Sequence, residues 1–67
     1  MPNIIIDLEN EIWRVRRLLP LFAGRKRAEV QGLLLYAETS KASGQVGYMK
    51  EALAELLEID EPGAPRI

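Results

Sequence analysis

Few residues of this 67-residue chain could do covalent or acid–base chemistry. It has no His and no Cys. That removes the commonest general acid/base, the thiol nucleophile, the commonest metal ligands and any disulfide. Ten carboxylates, nine Lys or Arg and a few hydroxyls remain. A working carboxylate pair needs one acid in an apolar setting so that the two pKa values separate, and most acids here stand at polar positions of helical segments. Helical carboxylates could hold a hard cation, but the Glu-x-x-His pairs of helical two-metal proteins need histidine. Ala23-Gly24-Arg25-Lys26 lacks the glycine spacing of a phosphate-binding loop. These residues point away from an enzyme, a metal site or a cofactor, and toward binding.

Two constellations could bind. Arg14, Arg16, Arg17, Arg25, Lys26 and Arg27 fall within fourteen residues that contain no acid. Such a cluster suits phosphates, and Arg25, Lys26 and Arg27 are the candidate nucleic-acid contacts. The competing readings are arginines that solvate a helix and favour its C-terminal end, or pairing with the acids Glu51, Glu55, Glu58, Asp60 and Glu61. A helix-turn-helix reader needs a polar recognition helix, whereas the segment after Gly24 carries Leu33-Leu34-Leu35. A ribbon-helix-helix reader would place three isoleucines where polar base contacts belong. The second constellation is Trp13 with Arg14 and Arg17 beside it and Leu18 and Leu21 nearby. Trp and Arg are enriched at interface hot spots, so these five residues form the candidate partner-binding surface. The plainer alternative is a Trp13 that closes the side of a core.

The elements that must position these residues are helices. Gly and Pro punctuate the chain at Pro20, Gly24, Gly44, Pro62, Gly63 and Pro65, and helical periodicity fills the gaps. Ile5, Leu8, Ile12, Val15, Leu19 and Phe22 alternate spacings of three and four, the pattern of a coiled-coil seam. This predicts a first helix over about 4–19, capped by Asn3 or Asp7 and kinked or ended near Pro20. The β-prone Ile4-Ile5-Ile6 offers an alternative, an extended arm before Asp7. A second helix is expected over about 25–39, with Val30, Leu33, Leu34 and Ala37 inward. Gly32 in its interior is either tolerated or a point of close approach for another helix. A polar connection, Ser40 to Gly44, leads to a third helix over about 45–59, with Ser43 as its cap. Residues 60–67 are expected to form a mobile tail after a single helical domain, 1–59.

The stretch Gly47-Tyr48, Ala52 and Leu57 to Pro62 resembles the second helix and exit of a tetratricopeptide repeat. The spacing before Pro62 departs from that pattern by one residue, and the preceding helix lacks its Trp and its Gly-x-x-Tyr. Since a single repeat cannot bury its own faces, the likeness implies no more than a helical hairpin.

The expected fold is all-α: a long N-terminal helix plus an αα-hairpin. A core this small scarcely offsets the chain entropy lost on folding, and Ile4, Trp13, Leu18 and Leu21 lie off the seam of the first helix. Both considerations predict a homodimer through Ile5, Leu8, Ile12, Val15 and Leu19; the alternative is a monomeric three-helix bundle with a few exposed apolar residues. Hydrophobic residues make up 48% of the chain, which argues for a folded core, and the net charge of −1 creates no general attraction to nucleic acid or membrane. The N-terminal segment lacks the basic start and small-residue cleavage site of a secretory signal, and no apolar run is long enough to span a bilayer. The functional expectation is a cytoplasmic, non-enzymatic adaptor or inhibitor that docks on a larger protein. A small nucleic-acid binder using the Arg14 to Arg27 cluster is the alternative.

Overall fold

A computed structural model describes residues 3–63. Helix α1 spans Ile4–Leu18, α2 spans Gly24–Ser43 and α3 spans Val46–Leu57, with a single 3₁₀ turn at Leu19–Leu21 between the first two. The described residues contain no strand. The fold is therefore all-helical, as the periodicities predict. No helix is long and apolar enough to cross a membrane among the described residues.

At the start of α1, capping outweighs β-propensity. The Asn3 side chain accepts a hydrogen bond of 2.9 Å from the Ile5 amide, and the Asn3 carbonyl accepts one of 3.0 Å from Asp7. Ile4, Ile5 and Ile6 are consequently helical rather than an extended arm. Pro20 ends the helix as its missing donor requires. One 3₁₀ turn follows, closed by the Phe22 amide on the Leu19 carbonyl at 3.1 Å, and the buried Phe22 ring plugs this end of the core.

The second helix outlasts its expected end by four residues, running to Ser43 rather than Thr39. Its polar residues do not break it because their hydroxyls bond backward along the helix: Thr39 to the Leu35 carbonyl, Ser40 to Tyr36 and Ser43 to Ser40, at 2.9, 2.8 and 2.6 Å. Ser40 is thereby satisfied while buried. The stop comes at Gly44, whose φ of 73° is left-handed and suits glycine. Ser43 does not cap α3. Gln45 holds that position, while the Ser43 hydroxyl accepts from the Gln45 amide inside the turn. Of the expected tail, 60–63 are non-helical and 64–67 lie outside the described residues.

The core takes Leu8, Ile12 and Val15 from α1, Val30, Leu34 and Ala37 from α2, and Met49, Ala52 and Leu56 from α3, closed by Phe22 and Ile59. This corrects the expected dimer seam. Leu8, Ile12 and Val15 are 0%, 4% and 0% exposed within one chain, so they face α2 and α3 and not a second copy. The apolar stripe of the hairpin matches that of α1 and covers it. Of the remaining seam positions, Leu19 packs partly buried on the same core and Ile5 stays exposed.

Candidate docking face

Of the five residues expected to form one partner surface, Trp13, Arg14, Arg17 and Leu18 border one shallow hollow of α1, but they are engaged differently. Arg14 turns to the C-terminus of α3, where its Nη1 donates to the Ile59 carbonyl and its Nη2 to the Leu56 carbonyl, both at 2.7 Å. Its Nε donates to Glu11 at 2.8 Å. A helix C-terminus leaves carbonyls without partners and carries partial negative charge, so a forked cation satisfies it on both counts. Arg14 is thus a structural cap, with all three of its nitrogens engaged within the chain. Leu18 is half-buried against the core.

Trp13, the residue before Arg14 in the chain, is 63% exposed. The reading of Trp13 as the side of a core is therefore set aside. Arg16 lies over its ring, 5.8 Å from guanidinium carbon to centroid, a cation–π distance. Arg16 also forms an ion pair with Glu38 of α2. Next to that pair runs a groove between the two helices, with Leu19, Leu34 and Gly32 in it and Leu35 at its edge. Leu35, at 66%, and Trp13 are the most exposed large hydrophobic side chains among the described residues. One turn along, Lys41 of α2 pairs with Glu9 of α1 at 3.6 Å. The result is a partly apolar face on α1 and α2, anchored by Trp13 and Leu35 and crossed by two ion pairs.

Sequence reasoning places Trp13 correctly in solvent as one of its two readings, but it misses Leu35 and the crossing ion pairs. A signal for them existed. Glu9, Trp13 and Arg16 are spaced four and three apart, as are Gln31, Leu35 and Glu38, so each trio shares a helix face. Arg17 lines the shallow outer hollow of α1 with Asn10, Trp13, Arg14 and Leu18, and Leu21 is exposed beyond the helix end.

The basic cluster does not form one patch either. Arg14 and Arg16 are engaged as described, while Arg25, Lys26 and Arg27 are exposed in the first turn of α2. Three cations there oppose the positive end of the helix dipole. Across the groove from Lys26 lie Glu55 and Glu58, which places acids of α3 beside the same positive end. Among the described residues no ion pair within 4.0 Å joins these acids to the cluster, and no three carboxylates gather as metal ligands. On the same α2–α3 side, the Tyr36 hydroxyl donates to Glu51 at 3.1 Å. Its phenol pKa is raised above the ordinary value, first by desolvation and then by this hydrogen bond to a carboxylate.

No protein-family model, no curated protein and no solved structure is significantly similar to this chain.

Proposed function

We propose that this chain is a small non-enzymatic protein-binding module, an adaptor or inhibitor that docks on a larger protein through the α1–α2 face. The observation that carries this reading is the exposure of Trp13 and Leu35, the latter at the edge of a partly apolar groove that no described residue fills. Large aromatic and aliphatic anchors beside a groove are what concentrated binding energy requires. An arginine already paired and stacked over the tryptophan costs little extra order on docking. A photoreactive residue in place of Trp13, in cells that make the protein, tests it. The expected result is an adduct heavier than two copies of this 7.6 kDa chain. No such adduct from position 13, with one from an exposed position on α3, would move the docking face elsewhere.

A second reading, nucleic-acid binding through Arg25, Lys26 and Arg27, is favoured by their exposure and by their placement against the dipole of α2. It predicts retention on duplex DNA at about 50 mM salt, lost on reversing the three charges. Absence of retention at that salt ends it.

A further inference from the structure

We infer that, in the protein on its own, the α1–α2 face is covered by a second copy of this chain through a two-fold contact between identical faces. The inference rests on the reading of this face as a docking surface and names its occupant.

Each helix contributes two charges of opposite sign to the face: Glu9 and Arg16 from α1, Lys41 and Glu38 from α2. Because α1 and α2 run antiparallel, with Glu9 beside Lys41 and Arg16 beside Glu38, the four signs alternate like a two-by-two checkerboard. All four side chains are between 35% and 50% exposed, so each can meet a further charge. A two-fold contact brings identical patches together and so ordinarily sets like charges against each other. A checkerboard avoids this for either two-fold axis in the plane of the face. An axis along the helices sets Glu9 against the second copy's Lys41 and Arg16 against its Glu38. An axis across them sets Glu9 against Arg16 and Lys41 against Glu38. Opposite charges meet in both cases. A partner of uniform sign would meet repulsion from half of the face.

The apolar elements agree. Leu35 and Trp13 flank the checkerboard and would be buried against their counterparts, supplying affinity while the charges set orientation. Gly32 fits the same contact. A Cβ built on it meets nothing within 4 Å, so among the described residues no helix uses the close approach that its missing side chain permits. A second copy can. The expected seam of α1 is already consumed inside the chain, so a dimer must use another surface, and this one is self-complementary.

Sedimentation equilibrium of the full chain from about 1 µM to about 1 mM, the range of weak to moderate association, tests the inference. The expected result is a reversible dimer of twice 7.6 kDa. Leu35→Glu should weaken it by about a hundredfold or more, because like charges would meet in a desolvated contact. Ala54→Glu, at an exposed position of α3, should leave it unchanged. Gly32→Ala separates fold from contact: it should raise the thermal midpoint of the dilute chain, since helix propensity improves in open space, and yet weaken the dimer. A monomer at every concentration, or a dimer lost with Ala54→Glu and kept with Leu35→Glu, overturns the inference. Either result leaves the larger-protein reading standing if the adduct from position 13 persists, and loss of that adduct overturns the reading separately.

Discussion

Helix α1 has two working sides, and they are finished to different degrees. Toward α3, Arg14 satisfies two backbone carbonyls and a carboxylate, and Leu8, Ile12 and Val15 are closed from solvent. On its outer side, Trp13 stands one residue before Arg14 in sequence and is largely in water, and Leu35, at the edge of the α1–α2 groove, is in the same condition. A chain with a small core has every reason to bury large side chains. Leaving its only tryptophan outside is a local departure from the pattern that folds the rest, and such departures concentrate at functional sites.

The comparison can be broken most forcefully from its packed side. Leu56→Ala should cost about 2–5 kcal/mol, since the side chain is fully buried where all three helices meet. Against a total stability on the order of 5–15 kcal/mol for ordinary domains, that is a large share, and a lowered urea midpoint followed by circular dichroism checks it. The neighbouring Leu57→Ala, on an exposed side chain, should shift the same midpoint hardly at all.

Arg14→Met should cost about 1–2 kcal/mol, the loss of charged hydrogen bonds at a partly exposed site. The loss should appear locally, as faster amide exchange at Glu58 and Ile59, just past the end of α3. Arg14→Lys should not restore it, because an ammonium cannot reach two carbonyls with a planar fork. Full rescue by lysine would reduce the role of Arg14 to simple charge.

On the open side the expectation is inverted. Trp13→Ala and Leu35→Ala should change the stability of the dilute chain by no more than about 0.5 kcal/mol, while reducing docking. A large loss of stability from either would place that side chain in the core and erase the difference between the two sides.

The smallest effect belongs to Tyr36. Its raised pKa means that the folded state holds the phenol proton more tightly than the unfolded chain does. The contribution to stability is thus fully present below the ordinary phenol value and is lost as pH rises through the raised one. Glu51→Gln removes the hydrogen-bonded carboxylate and should bring the ultraviolet titration of Tyr36 back toward 10.0.

Much of the fold is legible in the sequence because the apolar spacing is regular and Pro20 and Gly44 both interrupt helices. The stretch Thr39 to Ser43 is not, since the same hydroxyls suit a loop or a helix, and only the backward bonds to Leu35, Tyr36 and Ser40 decide between them. The site is legible only in part. An a/d stripe states which side of α1 is sticky without stating whether its own hairpin or a second copy covers it. Arg14 and Arg17 look equivalent in sequence, and only the end of α3, distant in the chain, distinguishes the capping arginine from the free one. Leu35 sits within Leu33-Leu34-Leu35, where composition gives no reason to choose the residue left outside.

The most direct test uses the single tryptophan as its own reporter. Emission and acrylamide quenching of Trp13 should be followed in the folded chain, first at dilution where it is monomeric and then as concentration rises. The account predicts a water-exposed, readily quenched Trp13 at dilution that becomes shielded as the α1–α2 face is covered. A shielded Trp13 in the dilute folded monomer would contradict it, because the tryptophan would then belong to the core and the face would have lost its anchor.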